Sequence, residues 1–410
     1  SQLLVKPTTF EKDRVRVDVS LGNGRAAAPA QLVHALWAAG LMTVGGTGKL
    51  PVTDINRWAQ AGGKLVGAQL QAGNREYSFS ATTRPADLAA QLQLIAAYAY
   101  DPGFRAELGE QLNAIGPMIN GQIEANAGAV FEREFARLFG GDDMRFNPIP
   151  AAQDVAATKP EDIPALLKPD LASAANVTLV GDIDVETAIA LMRTTFAAGP
   201  KRAQPAAITL SLAMPQGRDE PYVVTHGGRA DQAFYGAAWT LPDYRSAPKS
   251  SLVADVVAAV LEARLVETVR EKLGLTYSPR SSATTAISLP GQGFLRVSIE
   301  TPPANFEAFR ELLNAQIADL ASKPITADEL ERARKPLVEG NTKQRENNGW
   351  WVGSLSSSIR EPLIRQWMLS EMADLQAVTA ADIQAFAARD LAGQKPSVII
   401  ARAKSESSLS

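Results

Sequence analysis

Alternating apolar and polar residues recur along the chain, and this period of two is typical of strands with one buried face. The clearest example is the segment Arg-Val-Ser-Ile before Glu300, which follows Gly-Phe-Leu. Hairpin-like pairs of such segments indicate mainly antiparallel sheets. The pattern predicts strands at 15–21, 75–81, 176–182, 208–214, 222–225, 233–239, 293–299 and 397–401.

Apolar residues at helical spacing separate these strands. The run that ends at Val269 places seven apolar side chains on one face, which predicts an amphipathic helix packed on a sheet. Two long polar stretches, 104–137 and 326–348, are also predicted to be helical, and each contains one proline that should kink it, Pro117 and Pro336. A shorter helix is expected over 184–197, with Asp184 as its N-cap.

The order of elements repeats along the chain at an offset of 218 residues. Around Thr83 and Thr301 a strand is followed by a proline turn and an apolar helical run, and then by one of the long polar helices. Several residues are identical at this offset: Thr83/Thr301, Pro85/Pro303, Ala86/Ala304 and Leu94/Leu312. A match of strand, turn and two helices predicts a tandem duplication.

The predicted fold is therefore α+β, a tandem duplication of two similar domains, each a mainly antiparallel sheet with helices packed on one face. A chain of 410 residues is long enough for two such cores. The Gly-Pro pair at 199–200 ends a predicted helix, so the domains are expected at 1–198 and 199–410.

Composition excludes several classes of function. The net charge of −3 and the dispersed Lys and Arg residues provide no basic field for nucleic acid. Cysteine is absent, which excludes thiolate metal sites and cysteine nucleophiles, and no apolar run approaches the about 20 residues of a membrane span.

Histidine is scarce, and this limits metal chemistry. Only His34 and His226 occur, and they are 192 positions apart. Catalytic zinc normally has three protein ligands, among which His is prominent. We therefore predict that this chain binds no metal or other cofactor, that His34 is structural, and that His226 is a surface turn residue beside two glycines.

Arg270 and Tyr277 are the candidate site residues. Gly274 ends the predicted amphipathic helix, so Arg270 should lie in its last turn, with Tyr277 just beyond. A guanidinium can donate to a peptide carbonyl, and a phenol can donate to a developing oxyanion. The alternative is structural: Arg270 would cap helix carbonyls, and Tyr277 would pack at a domain edge.

The string Val-Arg-Glu-Lys-Leu-Gly-Leu-Thr-Tyr-Ser at 269–278 resembles a segment of the pitrilysin/insulinase family of zinc metallopeptidases. The resemblance extends to Phe-Glu-Lys-Asp-Arg-Val at 10–15, to Gly-Thr-Gly-Lys-Leu-Pro at 46–51, and to the segment 325–334. Enzymes of this family consist of two halves that enclose a chamber, and each half has two similar α+β domains. This chain has the size of one half.

The resemblance implies the roles of the site residues. In the zinc half, His-x-x-Glu-His and a distal Glu bind the metal and activate water, while the other half contributes an Arg/Tyr pair that contacts substrate. Arg270 and Tyr277 match that pair. Around His34, however, Trp37 and Ala38 stand where Glu and His would be needed.

We therefore expect the non-catalytic half of a zinc endopeptidase, inactive alone, whose partners are a peptide substrate and a zinc-bearing half on the same or a separate polypeptide. Zinc would belong to the complete enzyme. A periplasmic location is expected from the family's secreted bacterial members. The alternative is a scaffold or core subunit of the same fold that has lost proteolysis.

Overall fold

The computed structural model describes the backbone of residues 1–199, 201–273 and 279–404, and the side chains of all these residues except 272 and 273. The chain packs as two compact units, each made of three segments. The first unit contains Ser1–Ile119, Met144–Thr209 and Thr342–Gln366, and the second contains Asn120–Asp143, Leu210–Asn341 and Trp367–Ser410. The domain boundary predicted from the sequence, between residues 198 and 199, separates the two sequence repeats, and it stays a prediction.

A five-stranded sheet forms the centre of the first unit. Its strands are β1 (Gln2–Pro7), β2 (Val15–Leu21), β3 (Gln69–Ala72), β4 (Tyr77–Thr83) and β5 (Asn176–Gly181). They lie in the order β1-β5-β2-β4-β3. Only the pairing of β1 with β5 is parallel among these described strands, and the other pairs are antiparallel.

The second unit contains a sheet of the same topology. Its strands are β6 (Tyr222–His226), β7 (Phe234–Thr240), β8 (Arg280–Thr285), β9 (Gly293–Glu300) and β10 (Ser397–Ala403). Their order, β6-β10-β7-β9-β8, repeats that of the first sheet, and β6 is again parallel to β10. This shared strand order confirms the predicted α+β class and the two similar domains.

Helices cover the sheets of both units. They are α1 (Val52–Ala61), α2 (Leu88–Tyr100), α3 (Glu107–Glu124), α4 (Ala127–Phe139), α5 (Ala152–Ala157), α6 (Asp162–Leu171), α7 (Val185–Thr194), α8 (Pro248–Leu273), α9 (Phe306–Ser322), α10 (Ala327–Gln344), α11 (Asn348–Arg360), α12 (Leu363–Gln376) and α13 (Ala380–Phe386). A 3₁₀ segment at Ala30–Gly45 packs on β3 in the first unit.

The apolar side chains of the alternating strands lie in the core of each unit, as the pattern predicts. In the first unit the apolar side chains of β2, such as Val17 and Val19, join those of α2. In the second unit Val256, Leu261 and Val269 of α8 join Leu295 and its neighbours on β9, as the helical spacing predicts. Removal of this apolar surface from water is the main stabilising contribution of each unit.

The opposite face of each sheet is covered by a helix from the other half of the sequence. Helix α4 packs against β10 and β6 in the second unit, where it forms a separate aromatic cluster with Phe294. Helix α11 packs against β5 and β2 in the first unit. There Ser356 donates a hydrogen bond to Asp18, and Thr8 Oγ1 donates to Asn348 Oδ1 at 2.5 Å. The helices therefore do not lie on one face only.

Several predicted boundaries are wrong, for identifiable reasons. The first long polar stretch, 104–137, is divided into α3 and α4, because Asn126 caps a new N-terminus with a side-chain oxygen that accepts from the N–H of Ala129. The second, 326–348, corresponds to α10, which ends at Gln344, and α11 begins at the last residue of this stretch, where Asn347 accepts from the N–H of Gly349. The predicted strand at 208–214 is irregular. Its alternate residues Leu210 and Leu212 are buried, but no ladder forms among the described residues.

Candidate functional site

Helix α8 sets the position of Arg270. The helix is 26 residues long, and its apolar face, including Leu261, Leu265 and Val269, is buried in the second unit. Successive residues are turned by about 100° around a helix axis, so the residue after Val269 moves away from the core. Arg270 is accordingly exposed in the last turn of the helix.

The guanidinium of Arg270 makes no hydrogen bond or ion pair with any other described residue. Arg264, on the same helix, differs in this respect. Its Nε and Nη2 donate to Glu329 at 2.5 and 3.1 Å, and its Nη1 donates to Asp319 at 2.9 Å. Arg264 therefore joins α8 to α9 and α10, whereas no described residue occupies the donors of Arg270.

Tyr277, the other predicted site residue, lies outside the described residues. The described chain resumes at Pro279, and β8 begins at Arg280. The assignment of Arg270 and Tyr277 as a substrate-binding pair thus stays a prediction, and the structural alternative for Arg270 has no capping bond to support it among the described residues.

The surroundings of His34 do not fit a zinc site. His34 Nε2 lies 3.1 Å from Asp162 Oδ2, and the indole of Trp37 donates to Thr158 Oγ1 at 2.9 Å. Ala38 is fully buried. In the described part of the chain, no three His, Asp or Glu residues are grouped closely enough to hold a metal ion.

His226 is buried, so its prediction as a surface residue is wrong. The backbone N–H of Gly228 can only donate, and it lies 3.0 Å from His226 Nδ1, which must therefore be unprotonated. Nε2 then carries the proton and donates to the carbonyl of Gln232 at 2.8 Å. The two glycines do mark a turn, but the turn folds over the ring and satisfies both of its nitrogens.

The structure also reveals two carboxyl groups that sequence reasoning missed. Asp255 of α8 and Glu371 of α12 line one cavity in the second unit. The signal in the sequence is slight: Asp255 is a single acidic residue within the otherwise apolar run from Leu252 to Leu261. Nothing in the sequence brings Glu371 near it, because α12 follows more than 100 residues later.

Within the described residues, no helix combines the length and apolar character that a membrane span requires. No curated protein sequence matches the chain. Residues 171–337, however, match the family described as the Peptidase M16 inactive domain. This match includes α8 and Arg270, and it confirms the resemblance of the sequence motifs to the non-catalytic half of the pitrilysin/insulinase peptidases.

Solved structures share the fold over nearly the whole chain. A protease from Helicobacter pylori is similar with a TM-score of 0.80 and 14% identity over 98% of both chains. A peptidase M16 inactive domain from Pseudomonas fluorescens is similar with a TM-score of 0.76 and 19% identity over 98% of this chain and 95% of that one. The periplasmic protease PqqL from Escherichia coli gives a TM-score of 0.70 and 15% identity over 99% of this chain and 46% of that one.

Proposed function

We propose that this chain, which carries the Peptidase M16 inactive domain at residues 171–337, is the half of a zinc endopeptidase that binds and orients the peptide substrate. The general base and the zinc would come from another half, on the same polypeptide or on a separate subunit. The match with PqqL supports this division into halves, since this chain covers only 46% of the PqqL chain.

The observation that supports this proposal best is the exposed guanidinium of Arg270 at the end of α8, which pairs with no other residue that the structure describes. An arginine without an internal acidic partner retains all its donors for a ligand, and its planar group suits a peptide carbonyl. Tyr277 follows seven positions later, and its phenolic hydroxyl would donate to the oxyanion that develops on the scissile carbonyl. The pair would then position the peptide and stabilise the transition state.

Zinc, held by the other half, would supply the activated water for hydrolysis. This chain would not share in holding it, because His34 is engaged with Asp162 and the neighbouring Trp37 and Ala38 cannot be ligands. Its own contribution would be restricted to binding, orientation and hydrogen bonding to the reacting carbonyl.

The Tyr277→Phe variant tests the catalytic part of the proposal. In the chain combined with its zinc-bearing half, loss of one oxyanion donor should lower kcat by about 10²–10³-fold, with a smaller change in KM. Arg270→Ala should instead raise KM, because it removes a contact made by the bound peptide. Kinetics of peptide hydrolysis measure both effects.

Arg193→Ala is a matched control, since Arg193 is an exposed arginine in the last turn of α7. It should leave both constants unchanged. Normal turnover of the Tyr277→Phe and Arg270→Ala variants would contradict the roles proposed for these residues. Absence of hydrolysis by the unsubstituted chain combined with its zinc-bearing half would favour the alternative, a scaffold or core subunit without proteolytic activity.

The proposed location is the periplasm. The support is the similarity of fold to PqqL, which is described as a periplasmic protease. The expected result is recovery of the protein in the osmotic-shock fraction of cells that express its full gene. Recovery with the cytoplasmic proteins alone would contradict this location.

A further inference from the structure

A cavity of about 760 Å³ opens in the second unit between α8, α10, α12 and the strand β8, and Arg270 is not among its lining residues. Its volume lies within the range of small-ligand sites. Much of its wall is apolar and is contributed by the side chains of Leu252, Ala259, Val266, Leu337 and Leu375. Ser281 and Ser282 of β8 form one border.

Two carboxyl groups line this cavity, and the charge of Glu371 acts on Asp255. Glu371 is 7% exposed and accepts a hydrogen bond from Asn341 Nδ2 at 3.2 Å. Asp255 makes no hydrogen bond or ion pair with any other described residue. Asp255 is partly buried, which disfavours its ionised form, and Glu371 adds like-charge repulsion.

The other charged groups around Asp255 do not neutralise it. Arg264 is already bound by Glu329 and Asp319, and Arg332 pairs at the surface with Asp328 at 3.1 Å. Glu262 accepts from the N–H of Ser281 and lies 3.5 Å from Arg280. The charged side chains that line the cavity beside Asp255 are Glu262, Arg264 and Glu267 of α8, Glu329 and Arg332 of α10, and Glu371 of α12.

We propose that this cavity binds a basic side chain, the guanidinium or ammonium group of an arginine or lysine in the peptide substrate. An aliphatic stem would lie along the apolar wall while the cationic head reaches Asp255 and Glu371, an arrangement that suits these amphipathic side chains. This inference rests on the proposed function of the chain as a peptide-binding half.

Strand β8 gives the peptide backbone a place beside the cavity. Among the described strands, β8 pairs only with β9, so it is an edge strand, and on its outer side the N–H of Ser281 already donates to Glu262. An extended peptide can add to such an edge and send alternate side chains into an adjacent pocket. Backbone pairing would provide affinity for any sequence, and the cavity would select a basic residue at one position.

The spacing along α8 also fits a single peptide. Asp255 and Arg270 are 15 positions apart on this helix, which corresponds to about 22 Å at 1.5 Å per residue. An extended chain covers that distance in about seven residues. A peptide held by Arg270 near its scissile bond could therefore place a basic side chain in the cavity.

Burial, followed by the negative charge of Glu371, raises the pKa of Asp255 to about 7. A bound cation favours the ionised carboxylate, so binding should release a proton. The affinity for a basic peptide should consequently increase as the pH rises through about 7, and it should level off above that value. A merely structural Asp255 would give no such coupling to the ligand.

The test uses the purified chain and two fluorescent, unstructured peptides that differ only at one position, arginine in one and citrulline in the other. Citrulline keeps the shape of arginine but carries no charge. Fluorescence anisotropy should show at least about ten-fold tighter binding of the arginine peptide at pH 8, since hydrogen bonds to charged groups are the stronger ones. Asp255→Asn and Glu371→Gln should each reduce this preference, and Asp255→Asn should abolish its rise with pH.

Glu311→Gln is the matched control, because Glu311 is an exposed carboxylate on α9 that does not line the cavity. It should keep the full preference. Equal binding of the two peptides by the unsubstituted chain, or an unchanged preference in both cavity variants, would overturn the cavity proposal alone. Failure of both peptides to bind would instead overturn the peptide-binding function on which it rests.

Discussion

Asp255 shows how one residue can affect stability and ligand binding in opposite ways. Between its ordinary pKa of 3.8 and its raised value of about 7, the folded protein holds a proton that the unfolded chain releases. Folding therefore binds protons in this range, and the contribution of Asp255 to stability falls as pH rises from about 4 to about 7. Above pH 7 the folded protein keeps an ionised carboxylate beside Glu371.

The Asp255→Asn variant should be more stable than the unsubstituted protein at pH 8 and about equally stable at pH 4. A pKa unit corresponds to about 1.4 kcal/mol, so the gain in the free energy of unfolding at pH 8 is at most about 4 kcal/mol. Urea unfolding of both proteins between pH 4 and pH 8 measures the difference in their free energies of unfolding. The other carboxyl groups are the same in both proteins, so their contributions cancel in this difference. A pH-independent difference would show that Asp255 titrates normally.

At the residue scale, the sequence predicts exposed positions better than buried polar ones. The exposure of Arg270 follows from helical spacing, because its neighbour Val269 belongs to the apolar face. The burial of His226 could not be predicted, because its backbone partners at Gly228 and Gln232 depend on the conformation of the turn. The surroundings of the partly buried Asp255 could not be predicted either, because α12, which carries Glu371, is distant from it in the sequence.

Among the elements, α4 packs through a row of aromatic side chains. Phe131, Phe135 and Phe139 recur every four residues and form a row on one side of the helix. The rings of Phe135 and Phe139 are 4.6 Å apart, and Phe294 of β9 meets Phe135 edge-on at 4.9 Å. Arg296 lies over the Phe135 ring at 4.6 Å and also binds Glu132, which closes the cluster at its polar border.

Phe135→Ala should lower the free energy of unfolding by about 3–5 kcal/mol, because it removes a buried ring and leaves a cavity between α4 and β9. Phe135→Leu should cost less, since it retains much of the apolar volume. Met118→Ala on α3 is a suitable comparison, because Met118 is 54% exposed and should change stability by at most about 0.5 kcal/mol. A loss below about 1 kcal/mol for Phe135→Ala in urea unfolding would show that α4 does not stabilise the second unit.

Sequence patterns predict the central strands of both sheets and, among the described edge strands, only β6. Strands β2, β7 and β9 alternate or are largely apolar, and all three were predicted. The edge strands β1, β3 and β8 were missed, because a strand with one neighbour and little burial has no strong pattern: β8 reads Arg-Ser-Ser-Ala-Thr-Thr. The sequence of an amphipathic helix also does not show which sheet the helix covers. The exchange of helices, in which α4 covers the sheet of the second unit and α11 that of the first, therefore could not be predicted.

At the scale of the whole molecule, the exchange of helices makes the two halves of the sequence depend on each other. Sheet β1–β5 has Asp18 on the face that α11 covers, and this carboxyl group is bonded to Ser80 and Ser356 there. Residues 1–198 alone lack α11 and would expose that face. The sequence repeat therefore predicts the duplication, but it does not predict that each repeat supplies a helix to the sheet of the other.

Separate expression of residues 1–198 and 199–410 should give fragments that do not unfold cooperatively, while co-expression should restore a stable complex. Circular dichroism during thermal unfolding, together with size-exclusion chromatography, distinguishes these outcomes. Cooperative unfolding of the 1–198 fragment at the temperature of the intact chain would show that the first domain is independent and that α11 is dispensable.

We propose that this chain contributes peptide binding and obtains its zinc from another half. The most direct measurement is metal content together with peptide hydrolysis, first for the purified chain alone and then for the chain mixed with its zinc-bearing half. We expect no stoichiometric zinc and no hydrolysis for the chain alone, and hydrolysis that requires Arg270 and Tyr277 in the mixture. One zinc ion per chain and peptide cleavage without any partner would show that the chain is not a non-catalytic half.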